Sequence, residues 1–373
     1  MPFYAHGIGG HLTGALPLAE GLMRRGHIVS IGVHGEGPVA DMARARGLPI
    51  VPLTRLPASS REGTPFERFE LSLASLIRGC VQALRDNSID VLHVNDRRMM
   101  RVWAAPCALT RTPVIVHWRT TYTPSRSTDL SLLLAKRIIS MSEFCTRSLP
   151  AFARKRAALI YDPFEHDGAA SDWAGVAAAV RRRWPIPPDA LVIGIFGSLS
   201  QRKRPHILVD LLRALPPAVD GRPVWGMLCG RRIEPYDAEL DRRLAEWPEA
   251  ERRMLLTGFV EDPLAHMAAC DVIVHPAVNE GFGRVGVEAQ SVGVPFVVSS
   301  ECGVAEVIEH EKNGFVLAPG DFPAWVETCR RLLESAELRA AIGAEGLRSA
   351  ARFTLGRHVA AVEAVYADAG LLG

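Results

Sequence analysis

The sequence lacks the features that mark membrane-spanning and secreted chains. No apolar run approaches about 18 residues, the length that a transmembrane helix needs. The N-terminus has no basic region followed by an apolar stretch, which is the pattern of a secretory signal peptide. We therefore expect neither a transmembrane helix nor a signal peptide.

Paired cysteine motifs are also absent. The seven cysteines are odd in number, and none forms a C-x-x-C pair. This pattern excludes a disulfide framework or a zinc ribbon and favours buried, reduced thiols in a cytoplasmic protein. The seven cysteines are Cys80, Cys107, Cys145, Cys229, Cys270, Cys302 and Cys329.

The chain has little net charge. Its 43 basic and 41 acidic residues leave a formal charge of +2, so no nucleic acid or other general polyanion is expected as a partner. Basic residues cluster locally at 154–156 and 181–183. Each cluster is interpreted either as a solvated face or as a contact with an anionic membrane surface or acceptor.

Common metal and hydrolase motifs are missing as well. The sequence has no H-E-x-x-H, no D-x-D beside a predicted strand end and no G-x-S-x-G. We therefore expect neither a metal ion nor another cofactor.

A length of 373 residues predicts two domains, and predicted strands and helices alternate through both halves. This alternation is typical of doubly wound parallel sheets in an α/β fold. A segment rich in proline and glycine between Asp162 and Asp189 predicts the boundary. The predicted strands are His27–Val33, Val91–Val94, Val114–Trp118, Arg137–Ser142, Val192–Phe196, Trp225–Cys229, Met254–Val260, Asp271–His275 and Pro295–Ser299. Predicted helices include Thr13–Arg25, Phe66–Leu84 and Leu355–Ala369.

Residues 275–289 are the most informative segment. A predicted strand leads into a glycine-rich turn and a predicted helix, and Glu280 and Glu288 lie eight residues apart. A helix N-terminus attracts an anion, and Gly281 and Gly283 allow a ligand to approach the backbone. A phosphate flanked by two polyhydroxylated rings fits this set. The alternative is a structural turn in which the glutamates cap the helix or face solvent.

Further glycine turns follow other predicted strands. Gly197 to Pro205 contains Arg202 and Lys203, and cations at a helix start are unfavourable unless an anion neutralises them. Gly7 to His11 follows only six residues, so its strand is expected to be short or to begin upstream of residue 1. Taken alone, these segments are equally consistent with plain turns.

The ordered series of motifs resembles the retaining glycosyltransferases of family 4. It comprises "EGFGRVGVEA" at 280–289, Gly293-Val294-Pro295, residues 303–308 and residues 313–316, and the resemblance is strongest over 190–320. It implies the GT-B fold, in which two Rossmann-like domains face each other across a cleft. The domains would be residues 1–165 on the acceptor side, a linker at 166–189, and residues 190–354 for nucleotide-sugar binding. The final helix, 355–373, would pack back on the first domain.

The resemblance also implies a reaction and its site. A sugar would pass from a nucleotide-sugar to a glycan or lipid-linked acceptor, in cell-surface polysaccharide or glycoconjugate synthesis, at a site with no metal. Peripheral contact with the inner membrane face is a further expectation. The catalytic residues would be Glu280, Lys203 and His117, with His117 facing the donor sugar. The donor-binding residues would be Gly9, Gly10, Ser198, Arg202, Gly230, Arg231, Phe259, Val260, Gly281, Phe282, Gly283, Arg284, Val285 and Glu288.

One position departs from the family pattern. Ser198 stands where relatives often carry an arginine after the glycine, and Arg202 is the candidate to supply that charge. Two other functions stay open: another GT-B-like nucleotide-sugar enzyme, such as an epimerase or phosphorylase, and a non-catalytic nucleotide-sugar binder.

Overall fold

The computed structural model describes residues 1–6, 10–56, 73–164, 172–234, 236–248 and 253–371. Packing divides the chain into two units. Unit 1 comprises Met1–Pro163 together with Leu355–Gly373, and unit 2 comprises Phe164–Thr354. Both are α/β units built on parallel sheets, which confirms the predicted fold class.

Unit 1 contains two parallel sheets, β1-β2-β3 and β4-β5-β6-β7. Because β1 also contacts β4, its strands follow one another in the order 3-2-1-4-5-6-7. The strands are β1 (Pro2–Tyr4), β2 (Ile31–His34), β3 (Ile50–Leu53), β4 (Leu92–Val94), β5 (Val114–Trp118), β6 (Arg137–Ser140) and β7 (Ala157–Leu159).

Helices connect the strands of unit 1, as parallel pairing requires. They are α1 (Gly10–Arg24), α2 (Pro38–Ala45), α3 (Leu73–Asp86), α4 (Arg97–Thr110), α5 (Arg126–Leu134), α6 (Glu143–Ser148) and α7 (Ala151–Arg154). Several begin at a side chain that caps the first turn: Asp96 accepts a hydrogen bond from Met99 N–H, and Ser142 accepts one from Cys145 N–H.

Unit 2 contains one larger sheet with the order β11-β10-β8-β12-β13-β14, and β9 pairs antiparallel with β10. Its strands are β8 (Leu191–Phe196), β9 (Ala218–Val219), β10 (Arg222–Cys229), β11 (Met254–Gly258), β12 (Val272–His275), β13 (Phe296–Ser299) and β14 (Phe315–Leu317). When the parallel strands are counted along the chain, the order is 3-2-1-4-5-6. This is the Rossmann order, and its switch point lies between β8 and β12.

The helices of unit 2 bury their apolar faces against this sheet. They are α8 (Trp173–Arg183), α9 (His206–Ala214), α10 (Tyr236–Ala245), α11 (Pro263–Ala268), α12 (Val285–Ser291), α13 (Phe322–Glu334) and α14 (Ala336–Ala350). Leu208, Leu212 and Trp325 pack with Ile193 and Val274 in the main core.

The final helix, α15 (Leu355–Asp368), packs within unit 1. Its apolar stripe of Val359, Val362, Val365 and Tyr366 is buried in a cluster that also contains Leu22 of α1. Burial of each such side chain stabilises the fold by about 2 kcal/mol.

The predicted domain boundaries need one correction. Residues 166–189 were expected to form a linker, but α8 lies there and belongs to unit 2. Val180 of α8 packs on Ala265 and Ala269. Arg181 donates to Asp271, so one of the two basic clusters includes a structural ion pair rather than a fully solvated face.

All seven cysteines are buried and carry free thiols, in agreement with the buried, unpaired thiols that their spacing predicts. Arg156, in the other basic cluster, donates to carbonyls of Leu132, Leu133 and Ala135 at the end of α5. Among the helices of the described ranges, none combines the length and hydrophobicity needed to cross a membrane.

Candidate functional site

The segments that carry Lys203 and Glu280 meet at the switch point of unit 2. Lys203 follows β8 in a 3₁₀ turn, Gln201–Lys203, and Glu280 follows β12. The two strands are paired neighbours, with Ile273 opposite Gly194. Ligands of open α/β sheets bind beyond the carboxyl ends of strands at such a point.

Glu280 forms the centre of this site. Its Oε2 lies 2.8 Å from Lys203 Nζ and also accepts from the Arg202 guanidinium. The Lys203 and Glu280 side chains are only 11% and 13% exposed, whereas Arg202 is 45% exposed. The anion that neutralises the two cations in this structure is therefore the Glu280 carboxylate.

Burial alone would raise the pKa of the Glu280 carboxyl, but the positive charges of Lys203 and Arg202 lower it to about 2. The side chain is therefore ionised throughout the neutral range and acts as a hydrogen-bond acceptor.

Backbone hydrogen bonds fix the Glu280 segment. Val278 N–H donates to the Arg202 carbonyl over 3.0 Å, which joins the segments after β12 and β8. Glu280 N–H donates to the Glu301 carbonyl, and Gly303 N–H donates to the Glu280 carbonyl. The carboxylate is thus held on a backbone that is tied on both sides.

Gly283 shows why glycine is needed in this turn. Its φ is +93°, and an added Cβ would lie 3.4 Å from His275 Nε2 and 3.5 Å from Glu280 Cγ. A side chain there would be strained by this left-handed backbone conformation, and its Cβ would lie 3.3 Å from Val304 Cγ1, which is a tight contact.

Glu288 lies on α12, which begins at Val285 after the glycine-rich turn. Its carboxylate is 3.3 Å from Arg284 Nη2, and its side chain is 17% exposed. Burial raises the pKa of Glu288, and Arg284 partly opposes that effect. Gly281, Phe282 and Gly283 are buried in the turn between the two glutamates.

The segments after β10 and β11 extend the same edge of the sheet. Leu199 N–H donates to the Arg231 carbonyl over 2.7 Å, and Gly230 N–H donates to the Gly258 carbonyl over 2.9 Å. The Arg231 guanidinium lies 5.0 Å from the ring centroid of Phe259, which is 64% exposed. The Arg231 guanidinium and the Phe259 ring together form an exposed surface. Val260 is the next residue in the chain after Phe259.

Gly230 approaches the neighbouring turn too closely for any side chain. A Cβ there would lie 1.7 Å from the Gly197 carbonyl oxygen. Ser198, next to Gly197, is partly buried in this turn.

His275 is a residue of the site to which the sequence analysis gave no role. It ends β12 and is 1% exposed, and its Nε2 has no hydrogen-bond partner among the described residues. Burial, reinforced by the charge of Lys203, lowers its pKa to about 3. The signal was present in the sequence, since His275 is the last residue of the predicted strand Asp271–His275 and is followed by the glycine-rich turn.

We predict that His275 makes the fold sensitive to acid. The unfolded chain takes up this proton below pH 6.5, the ordinary value, whereas the folded protein does so only near pH 3. Stability is therefore lost as the pH falls through that window, by about 3 kcal/mol at pH 4.5. Urea unfolding at pH 7 and pH 4.5 should show a smaller loss for His275→Gln than for wild type. Equal losses in the two proteins would contradict this assignment.

His117 belongs to unit 1 and is the penultimate residue of β5, just before Trp118. It is 1% exposed and lies among His93, Arg119 and Asp162. Of the predicted residues in the first glycine turn, Gly10 is the first residue of α1, and Gly9 lies outside the described residues.

Comparisons with known proteins identify the class. The sequence pattern described as "Glycosyl transferases group 1" matches residues 177–348, and the pattern "Glycosyltransferase Family 4" matches residues 8–167. The matches cover most of the chain between them. This chain belongs to the family 4 glycosyltransferases that carry these two regions.

Two curated relatives show how far sequence similarity extends. The D-inositol 3-phosphate glycosyltransferase of Stackebrandtia nassauensis is 32% identical over 201 residues, which is 52% of this chain and 45% of the relative. The lipopolysaccharide core biosynthesis mannosyltransferase LpsB of Rhizobium meliloti is 30% identical over 188 residues, or 48% of this chain and 52% of that protein. The chain thus spans about half the length of the curated relatives that it matches.

A solved structure shares the fold over nearly the whole length. Anabaena Alr3699/HepE, solved in complex with UDP, has a TM-score of 0.83 and 23% identity, and the match covers 98% of this chain and 99% of that one. This likeness confirms the GT-B fold that the motifs implied.

Proposed function

We propose that the protein transfers a sugar from a nucleotide-sugar donor to a glycan or lipid-linked acceptor, with retention of the anomeric configuration. The observation that supports this most is the Glu280 carboxylate held between Lys203 and Arg202 at the switch point of a Rossmann-type sheet. The relatives named above are glycosyltransferases.

The two cations suit a diphosphate leaving group. In the transfer, the bond between the anomeric carbon and the phosphate oxygen breaks, and the acceptor oxygen bonds to that carbon. The acceptor proton passes to the donor phosphate. Lys203, with Arg202 or Arg284, would neutralise the charge that grows on the departing diphosphate. One fixed charge of this kind lowers a barrier by roughly 3 kcal/mol.

The carboxylates suit hydroxyl groups. Glu280, ionised at neutral pH, would accept hydrogen bonds from the transferred sugar and orient its ring. Glu288 would accept hydrogen bonds from the ribose. The exposed pair of Arg231 and Phe259 offers a surface on which a base can stack. His117 would donate a hydrogen bond to the sugar.

Calorimetric titration with UDP, GDP and ADP and their sugar conjugates tests this proposal. We predict that one nucleotide binds, and that Glu288→Ala weakens its binding about tenfold, because hydrogen bonds to a charged group are lost. Glu334→Ala is the control, since that carboxylate pairs with Arg330 on an exposed face of α13. Absence of binding by every nucleotide would contradict the nucleotide-sugar assignment.

We also propose peripheral contact with an anionic membrane. Leu130 and Leu133 on α5 are 60% and 54% exposed, and Leu134 lines one surface depression with Arg111 and Lys136. Exposed apolar side chains beside basic ones are typical of interfacial binding.

Co-sedimentation with vesicles tests this contact. Phosphatidylglycerol vesicles should retain the protein, phosphatidylcholine vesicles should retain less, and salt should weaken the binding. Substituting serine for both Leu130 and Leu133 should reduce the retained fraction severalfold, whereas Leu347→Ser, an exposed leucine in unit 2, should not. Equal retention of both variants would contradict the proposed surface.

A further inference from the structure

Unit 1 buries three histidines side by side. His93 Nε2 lies 3.4 Å from His117 Nδ1, and the rings of His117 and His358 stack with their centroids 5.7 Å apart. All three are less than 5% exposed. Which ring nitrogen of each carries the proton follows from what surrounds it.

The partners of His117 fix its proton. Arg119 Nη2 lies 3.3 Å from His117 Nδ1, and a guanidinium can only donate. His117 Nδ1 must therefore be the bare, accepting nitrogen. In a neutral ring the proton is then on Nε2.

The same argument determines which ring nitrogen of His93 carries the proton. Because His117 Nδ1 accepts, His93 Nε2 must carry a proton and donate to it. His93 Nδ1 is then bare, and Tyr366 Oη lies 2.5 Å from it, where the hydroxyl can donate. Each hydrogen bond in the series has one donor and one acceptor, in the direction from Tyr366 to His93 to His117.

We infer that Tyr366 and His93 form a relay that, together with Arg119, holds His117 as the neutral tautomer with its proton on Nε2. This inference rests on the proposed function, in which His117 donates a hydrogen bond to the transferred sugar. Tyr366 and His93 are positioning residues, and α15 thereby contributes to the site.

The relay gives His117 the chemistry of a donor and not of a base. Its Nε2 has no hydrogen-bond partner among the described residues, and Asp162 Oδ1, at 3.8 Å, is too distant to accept one. Burial and the charge of Arg119 lower the pKa of His117 well below its usual value, which keeps the ring neutral. An Nε2–H that is fixed and has no acceptor among the described residues is the group that would donate to a sugar oxygen in the proposed transfer.

His358 is an internal control, because its surroundings fix the opposite tautomer. Its Nδ1 lies 2.9 Å from the Tyr161 carbonyl oxygen, which can only accept. His358 must therefore carry its proton on Nδ1. The cluster thus contains both tautomers.

The test is a two-bond ¹H–¹⁵N correlation spectrum of ¹⁵N-histidine-labelled protein at neutral pH, without donor. Signals are assigned by substituting the histidines one at a time. We expect the Nε2–H pattern for His93 and His117 and the Nδ1–H pattern for His358. A His117 signal of the Nδ1–H form, or of the doubly protonated ring, overturns the inference. Because no donor is present, this result is independent of nucleotide binding.

Variants then test the relay itself. Tyr366→Phe should alter the tautomer mixture of His93 and shift the ¹⁵N resonances of His117. It should also lower kcat roughly tenfold, with little change in donor KM. Loss of a residue that orients a histidine at a metal centre has an effect of this size. His93→Leu should lower kcat further, and His93→Gln, whose amide can donate from the Nε2 position, should restore it.

Unchanged His117 resonances in both Tyr366→Phe and His93→Leu would overturn the relay. If the tautomers are as expected but no nucleotide binds, the relay stands and the proposed function fails.

Discussion

Substitution of alanine for Lys203 is expected to lower kcat for sugar transfer by about a hundredfold to a thousandfold, the range for loss of one fixed group that stabilises charge in a transition state. Lys203 Nζ is held 2.8 Å from Glu280 in a site that is largely shielded from water. Arg202, at 45% exposure, is screened by solvent and cannot replace it fully. The loss also removes the main charge that lowers the pKa of Glu280, so that pKa should rise. Steady-state kinetics with the donor identified by calorimetry measure the effect.

A matched substitution separates this effect from a general loss of charge. Lys312 pairs with Glu309 on an exposed surface of the same unit, 2.6 Å apart. Lys312→Ala should leave kcat unchanged, and both variants should unfold cooperatively, as judged by circular dichroism. A Lys203→Ala enzyme with wild-type kcat would show that this lysine does not act on the leaving group.

Substitution of glutamine for Glu280 is expected to lower kcat by at least about a hundredfold, because a precisely held charged acceptor for the sugar hydroxyls is lost. With its pKa near 2, the wild-type carboxylate is fully ionised at neutral pH, and glutamine keeps its size while removing the charge. The substitution also frees Lys203 and Arg202 from their ion pairs. The nucleoside diphosphate should therefore bind as tightly as to wild type, or more tightly.

The different effects of the two substitutions on kcat and on diphosphate binding distinguish the role of Glu280 from that of Lys203. Glu280→Gln should separate low kcat from intact diphosphate binding, whereas Lys203→Ala should weaken both. Glu309→Gln, at the exposed control pair, should alter neither. Weakened diphosphate binding in Glu280→Gln would mean that the carboxylate holds the nucleotide and not the sugar.

The strands that build the sheets were predictable where they are buried and apolar. Val114–Trp118 was predicted with its observed bounds, and the strand at Val192–Phe196 within one residue. Four short strands were missed: β3 contains Pro52, β9 has two residues, and β7 and β14 have three residues each. Short edge strands carry too few alternating residues to give a periodic signal.

The missed helix α8 shows a different cause. The proline and glycine residues around it favoured a linker, yet Trp173, Val176, Ala177 and Val180 have helical spacing and follow Asp172, which caps the helix. Of the predicted helix Phe66–Leu84, residues 73–84 are helical and the remainder lies outside the described residues.

The candidate site was predictable in its residue types but not in its pairings. Glu280 and Lys203 were identified from a motif and a glycine turn, but only the strand order shows that they share one switch point. The ion pair itself joins residues far apart in sequence, which no local pattern encodes. For the same reason, sequence alone did not connect His93 and Tyr366 with His117.

The most direct measurement is a crystal structure of the protein with the nucleoside diphosphate that binds in calorimetry. We predict diphosphate oxygens within hydrogen-bonding distance of Lys203 Nζ, ribose hydroxyls at Glu288, and the base against Arg231 and Phe259. Density for the nucleotide at any other place, with the Lys203–Glu280 pair unchanged, would contradict the proposed site.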